Sequence, residues 1–223
     1  MHFLRSTEFI RRFVTGFALG LGFWIVLCYL PPLCFSLVLL LILVLIIIFE
    51  WTHFFPISAP TFWILMPIYL IIPFGFLISL NHTEPYRDLL FILFIVVFSF
   101  DTGSYLTGLT FGKTPICRSI SPKKTWEGAL GGCVFACIGL LYIVWEQGYI
   151  ISWYLLFVTI VTCSLALLGD FFESFLKRRA QLKDSGTLLP GHGGFLDRFD
   201  GIIFAVFFFY WFKDLLIRLL ISS

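Results

Sequence analysis

Hydrophobic residues occur along this chain in long blocks, and polar residues are concentrated between them. Apolar runs of about 20 residues can cross a bilayer as helices. The first two runs, Phe13 to Leu30 and Leu33 to Phe49, are separated only by Pro31-Pro32, which predicts a tight helical hairpin. Glu50 to Ala59 is predicted to be a polar connection, and Pro60 to Leu80 the third span.

Four further spans are predicted in the rest of the chain, and longer polar loops separate them. They run from Leu89 to about Leu109, from Gly128 to about Trp145, from Ile151 to about Gly169, and from Ile202 towards Ile221. Charged residues in the second half of the last run predict that it ends near Phe212 and continues as an amphipathic segment at the membrane interface.

The composition supports a membrane protein. The chain is 60% hydrophobic and 13% charged, with a mean hydropathy of +1.00; soluble domains carry about 25% charged residues. The alternating ten-residue segments of a β-barrel are absent. We therefore predict an all-α, polytopic helical membrane protein with about seven transmembrane helices. We divide it into N-terminal membrane helices (1–88) and a catalytic membrane region (89–223) with cytoplasmic loops 111–127 and 170–201.

The basic residues are distributed unevenly among the predicted loops, and this predicts the orientation. No small-residue cleavage site follows the first run, which favours a retained helix over a signal peptide. Because Lys and Arg concentrate on the cytoplasmic side of membrane proteins, the N-terminus and both long loops are expected to face the cytoplasm. The membrane that the helices cross is expected to be the cytoplasmic (inner) membrane. The basic residues on that side are Arg5, Arg11, Arg12, Lys113, Arg118, Lys123, Lys124, Lys177, Arg178, Arg179, Lys183 and Arg198.

Two polar features precede the last long loop. Asp101 lies at membrane depth in the fourth span, where an ionisable group indicates function; the alternative is a buried Asp satisfied by its neighbours. The loop before the fifth span contains hydroxyls and two lysines that could hold phosphate oxygens next to a helix N-terminus. The alternative is an ordinary cytoplasmic loop, in which the two lysines serve only to fix the orientation in the membrane. The phosphate candidates are Ser121, Lys123, Lys124 and Thr125.

The segment from Gly169 to Asp200 contains ten charged residues between apolar spans. Asp170, Ser174 and Lys177 share one face of a helix, because they fall at i, i+4 and i+7. Two carboxylates separated by a returning loop, such as Asp170 and Asp197, suit Mg²⁺, which takes one or two carboxylates together with substrate phosphates.

A glycine-rich turn lies in the same segment. Gly191, Gly193 and Gly194 permit backbone conformations in which amides converge on an anion. His192 could add a donor or be structural. The sequence contains no GxSxG elbow, phosphate-binding GxxxxGK[ST] loop, HExxH motif or zinc spacing. This favours a reaction whose nucleophile is already ionised, such as a phosphate monoester attacking a nucleotide.

These residues resemble the signature of the phosphatidate cytidylyltransferase (CDP-diacylglycerol synthase) family. The signature S-x-x-K-R, four residues, K-D, then P-G-H-G-G-x-x-D-R-x-D is met from Ser174 to Asp200. Gly169-Asp170, the Ser121–Gly128 loop and the Asp101 segment also resemble the family in order and spacing. The resemblance covers about the last 125 residues; many family members have more spans before this region than the three predicted here.

The resemblance implies Mg²⁺-dependent transfer of CMP from CTP to phosphatidic acid, giving CDP-diacylglycerol and pyrophosphate. It also implies a homodimer in the lipid bilayer, and it does not imply nucleic-acid binding. Asp170 and Asp197 are implied as the metal pair, with Ser174, Lys177 and Asp200 as the other catalytic residues. The expected substrate-binding residues are Asp101, Ser121, Lys123, Lys124, Thr125, Glu127, Arg178, Lys183, Asp184, His192, Gly193, Gly194 and Arg198.

Two alternatives remain at this point. One is a related CDP-lipid synthase with a different lipid phosphate acceptor. The other is a transporter that uses Asp101 and Asp170 as ion sites; it predicts charges spread through the midplane and inverted repeats, whereas the charges here cluster on one side.

Overall fold

A computed structural model describes residues 20–149, 152–189, 191 and 193–221 of the chain. The described part is predominantly helical, which confirms the predicted all-α class. Its helices are α1 (Gly20–Tyr29), α2 (Pro32–Leu45), α3 (Thr52–Phe54), α4 (Pro60–Met66), α5 (Ile72–His82), α6 (Tyr86–Phe111), α7 (Trp126–Glu146), α8 (Tyr154–Arg179), α9 (Leu196–Trp211) and α10 (Lys213–Ile221).

Five helical segments in the described part are long and apolar enough to cross a membrane: Pro32–Phe54, Pro60–His82, Tyr86–Phe111, Trp126–Glu146 and Tyr154–Arg179. The predicted count of seven is not confirmed. The predicted first span lies partly outside the described residues. The predicted seventh is divided at Phe212 into α9 and α10, as the charges beyond that residue indicated.

Two of the spans contain a π-helical turn, Ile46–Trp51 after α2 and Pro67–Ile71 before α5. Proline in a helix lacks an N–H and collides with the carbonyl four residues earlier. The second turn widens the helix directly before Pro73, where that collision would involve Tyr69. Such widened turns are frequent at functional sites.

The sequence interpretation of Glu50–Ala59 as a polar connection was wrong in its first half. The helix continues without interruption from α2 to Phe54, and Glu50 is completely buried within it. The error arose because a single carboxylate after a long apolar run was taken as the membrane boundary.

By internal packing the chain divides into two units. The first consists of Met1–His82 and Leu176–Phe199, and the second of Thr83–Phe175 and Asp200–Ser223. The chain passes between the units after His82, within α8 and within α9.

Aromatic side chains form the core of the first unit. Trp51 is completely buried and packs against Phe55 and Tyr69, with ring centroids 5.0 and 5.9 Å away. Phe199 stacks on Phe74 at 5.4 Å. This last contact joins the end of the segment 176–199 to the N-terminal helices of the same unit.

Glycines on α7 allow close packing against α6 in the second unit. A Cβ atom at Gly132 would lie 2.7 Å from the carbonyl oxygen of Phe100, and one at Gly139 would lie 2.5 Å from the hydroxyl of Ser99. Small residues let membrane helices approach closely, since lipid provides no hydrophobic drive for association. The α6–α7 pair therefore provides a rigid base for the polar loop between these helices.

That loop contains a structure that the sequence interpretation missed. Strands β1 (Pro115–Cys117) and β2 (Ser121–Thr125) pair as a short antiparallel hairpin, and α7 begins directly after β2. The predicted polar loop 111–127 is thus an ordered element.

Candidate active site

An ion pair joins two of the predicted site motifs in the second unit. The ammonium group of Lys124, at the end of β2, contacts the carboxylate of Asp170 on α8. The same ammonium group lies 5.0 Å from the centre of the Phe171 ring, where a cation is attracted to the ring face. Lys124 is therefore held against α8 by both contacts.

Asp200 adds a buried carboxyl group next to Asp170. A Cβ atom at Gly169 would collide with the backbone of Asp200, so glycine allows α9 to approach α8 at this point. Asp200 is 5% exposed. Burial raises the pKa of Asp200, and the negative charges of Asp170 and Glu173 raise it further. Carboxylates concentrated in this way favour the presence of a cation.

The hairpin is attached to α7 by two predicted site residues. The hydroxyl of Thr125 accepts a hydrogen bond from the Gly128 amide at 3.2 Å, which caps the helix. The carboxylate of Glu127 accepts from the amides of Lys113 and Thr114, both at 3.1 Å. The side chains of Thr125 and Glu127 thus attach the hairpin to the start of α7.

Other predicted residues of the second unit lie at the surface or on the same helices. Asp101 and Lys123 are exposed, Ser121 is half-buried, and Ser174 lies on α8 one turn after Asp170. The exposure of Asp101 in the single chain disfavours the alternative of a buried Asp satisfied by its neighbours, and its functional role stays a prediction.

Asp197 is enclosed by hydrogen bonds in the first unit. Its Oδ1 atom accepts from the ammonium group of Lys177 at 2.7 Å. Its Oδ2 atom accepts from the Ser185 amide at 3.0 Å and the Gly194 amide at 2.8 Å, and lies 2.9 Å from the Ser185 hydroxyl. Charge-assisted bonds of this kind are among the stronger ones in proteins. The Asp197 carboxylate is therefore fixed in position before any substrate binds.

Glu50 is the second carboxylate of this arrangement. Its Oε1 atom accepts from the Phe195 amide at 2.7 Å, and its Oε2 atom from the Leu196 amide at 2.8 Å. The Ser185 hydroxyl lies 3.0 Å from Oε2. The sequence suggested that amides of the glycine-rich turn converge on an anion; in this structure they converge on two carboxylates of the chain itself.

Glycine is required at two positions of the turn. Gly193 has a φ of +80°, and a Cβ atom there would lie 2.5 Å from Asp197 Oδ2. A Cβ atom at Gly194 would lie 2.5 Å from Glu50 Oε2. The Leu189 amide donates to the Gly193 carbonyl at 2.9 Å, which closes the turn.

The remaining predicted residues of the segment lie around this turn. The exposed residues among them are Arg178, Lys183, Asp184 and Arg198. His192 lies outside the described residues.

Mg²⁺ is the cofactor that the resemblance implies. Within the described ranges, no three His, Cys, Asp or Glu side chains are arranged to hold a metal ion. Mg²⁺ requires only one or two carboxylates when substrate phosphates complete its coordination, and the crowded carboxylates of Asp170 and Asp200 fit this chemistry. Binding through Asp197 Oδ1 would require the ammonium group of Lys177 to move.

Glu50 and Ser185 were missed by the sequence analysis. One signal could have indicated Glu50: it is the only Asp, Glu, Lys or Arg between Arg12 and Glu84, and an ionisable residue within an apolar span indicates function. Ser185 follows the Lys183-Asp184 pair directly, but its contact with Glu50 crosses 135 residues of sequence. No local pattern predicts that contact.

Comparisons with known proteins agree with the motifs. The chain matches the cytidylyltransferase family over residues 55–216. The phosphatidate cytidylyltransferase of Rickettsia bellii is 33% identical over 209 residues, which are 89% of this chain and 88% of that protein. The Rickettsia conorii protein of the same name is 32% identical over 216 residues, 94% and 93% of the two chains. The Bacillus subtilis phosphatidate cytidylyltransferase is 39% identical over 149 residues, 66% of this chain and 55% of that protein.

Proposed function

Because the chain belongs to the cytidylyltransferase family, we propose that it transfers the CMP group of CTP to phosphatidic acid. The similarity of nearly the whole chain to phosphatidate cytidylyltransferases carries this proposal. The products are CDP-diacylglycerol and pyrophosphate, so the protein acts in phospholipid biosynthesis. An integral membrane protein suits these substrates, because one is a lipid and the other a water-soluble nucleotide.

In the proposed reaction a phosphate oxygen of phosphatidic acid attacks the α-phosphorus of CTP. A new phosphoanhydride bond forms, the bond between the α- and β-phosphates breaks, and pyrophosphate leaves with its electron pair. The nucleophile is already ionised, so the chain needs to position the two phosphates and neutralise their charge rather than abstract a proton. Lys124 and the exposed Lys123 are the residues we assign to the nucleotide phosphates.

We propose Mg²⁺ as the cofactor, with Asp170 and Asp197 as its ligands, as the family resemblance implies. When bound, it would supply positive charge to the triphosphate. The negative charges of Asp170, Glu173 and Asp200 lie close together, and this concentration of carboxylates supports a metal cation at the half-buried Asp170 in addition to Lys124.

An assay with purified protein tests the reaction. Protein in detergent is incubated with labelled CTP, phosphatidic acid and Mg²⁺, and the lipid product is identified by mass. We expect CDP-diacylglycerol, with no product after EDTA treatment and recovery when Mg²⁺ is restored. A CDP-lipid formed only with another lipid phosphate would replace the proposed substrate, and absence of any CDP-lipid would refute the reaction.

We also propose that the active site faces the cytoplasm from the inner membrane and that the protein is a homodimer. The basic residues of the loops support the orientation. Cys117 lies in the hairpin outside the spans, so a membrane-impermeant maleimide should label it only after cells are permeabilised. Cys117→Ser provides the control, and labelling of intact cells would reverse the orientation. Light scattering of the detergent complex measures the oligomeric state.

A further inference from the structure

Glu50 lies in the N-terminal helices, yet all its described hydrogen bonds reach the segment that carries Asp197. We propose that Glu50 is a positioning residue, which holds residues 185–197 so that the Asp197 carboxylate lies where the reaction needs it. This inference rests on the proposed function for the role of Asp197. It concerns a residue outside the range 55–216 that matches the family.

The contacts of Glu50 explain why a carboxylate is needed. The amides of Phe195 and Leu196 belong to the start of α9, where backbone N–H groups have no partner within the helix. One carboxylate binds both, with one oxygen each, at 2.7 and 2.8 Å. The negative charge also lies at the positive end of the helix dipole. A fully buried charge is unfavourable unless it is hydrogen-bonded in this way.

The Ser185 hydroxyl connects Glu50 to Asp197. It lies 3.0 Å from Glu50 Oε2 and 2.9 Å from Asp197 Oδ2, and it can donate its single hydrogen to either carboxylate. Gly186 and Gly194 leave room for the Glu50 side chain, since a Cβ atom at either would lie within 3.0 Å of it. A change at Glu50 therefore reaches Asp197 through Ser185 and through the first turn of α9.

The backbone around Glu50 is consistent with a specific role. Glu50 lies in the π-helical turn Ile46–Trp51, while Trp51 packs in the aromatic core of the first unit. The widened turn changes the direction of side chains relative to a regular α-helix. The core thus holds the turn in place, and the turn presents Glu50 to the segment 185–197.

The test compares Glu50→Gln with wild type. Glutamine keeps the size of the side chain but places an NH₂ group against one of the two amides, which leaves a buried donor unsatisfied. We expect kcat for CDP-diacylglycerol formation to fall about 10- to 100-fold. KM for CTP should change less than about 2-fold, because an interaction needed only in the transition state lowers kcat and kcat/KM together. Glu146→Gln, an exposed Glu changed in the same way, should retain the wild-type rate.

Two further measurements separate positioning from a general loss of stability. In a double-mutant cycle, Glu50→Gln and Ser185→Ala should be non-additive in kcat, because both break the same connection to Asp197. Hydrogen exchange should become faster at the Phe195 and Leu196 amides in Glu50→Gln, and stay unchanged in Glu146→Gln. Additive effects, or unchanged exchange, would overturn the inference.

The outcomes distinguish this inference from the proposed function. If wild type forms no CDP-lipid, the function fails and hydrogen exchange alone decides the role of Glu50. If wild type is active and Glu50→Gln is equally fast, the positioning role is refuted while the function stands. If Glu50→Gln does not remain folded in detergent, Ser185→Ala decides: a severalfold loss of kcat supports the role, and the wild-type rate refutes it.

Discussion

Replacing Gly194 by alanine should disrupt the enclosure of Asp197. The added Cβ atom would lie 2.5 Å from Glu50 Oε2 and closer still to the Ser185 hydroxyl. Cβ atoms in proteins essentially never approach another heavy atom within 3.0 Å, so one of these groups has to move. Both make hydrogen bonds to the segment 185–197, and those bonds would be lost.

The loss of unfolding free energy in Gly194→Ala has two contributions. Overpacking of a well-packed site costs about 1–3 kcal/mol, and each lost hydrogen bond costs roughly 0.5–1.5 kcal/mol. With one or two bonds broken, we expect the free energy of unfolding to fall by about 1.5–6 kcal/mol. Displacement of Asp197 should also lower kcat by about 100-fold or more in the protein that remains folded, since small misplacements have effects of that size.

The assay pairs thermal unfolding in detergent with the rate of CDP-diacylglycerol formation per folded protein. Gly75→Ala is the matched control: Gly75 lies in α5 of the same unit, and nothing lies within 4 Å of a Cβ atom there. Alanine is favoured over glycine within a helix by about 1 kcal/mol, so this control should unfold at the same or a higher temperature. If Gly194→Ala has the Tm and rate of the control, the described packing around Asp197 is incorrect.

Four further predictions use the same two assays, with Glu146→Gln as a control that should resemble wild type in both. Asp170→Asn should reduce kcat at least about 1,000-fold with little change in Tm, because it removes a proposed Mg²⁺ ligand; full activity would refute that role. Lys124→Met keeps the aliphatic part of the side chain but loses the ion pair with Asp170, and it should raise KM for CTP. An unchanged KM would show that Lys124 does not bind the nucleotide. Gly132→Ala should lower the free energy of unfolding by about 1–3 kcal/mol through overpacking against α6, and an unchanged Tm would contradict the close crossing. Tyr149→Phe removes a hydrogen bond to the Asp88 carboxylate and should cost about 1.5–3 kcal/mol of stability without changing kcat; a loss of kcat would indicate that this side chain also serves the reaction.

Much of the protein could be predicted from local sequence. Apolar runs of about 20 residues determine helices in lipid, because backbone groups in a bilayer must be satisfied within the segment. The all-α class follows from this. The motifs between Asp101 and Asp200 predicted the family, which the comparisons confirm, and the reaction for which the matching relatives are named. The domain division, the site residues, the Mg²⁺ and the dimer stay predictions.

Other features depend on the positions of residues that are distant in the chain. Glu50 was placed in a polar connection because charge in a sequence usually indicates water, whereas buried hydrogen bonds from Ser185, Phe195 and Leu196 stabilise it inside the first unit. The break at Phe212 was indicated by local charges, but the short hairpin before α7 was not.

The sequence by itself determined most of the helical segments, which residues carry charge and which family the chain resembles. The tertiary structure decided what each charge contacts. Asp197 meets Lys177 and Ser185, and Asp170 meets Lys124, because the helices of each unit pack through glycines and aromatic rings. Hydrophobicity and spacing act over a few residues and can be recognised locally. Hydrogen bonds across more than 100 residues exist only once the helices that carry them have packed.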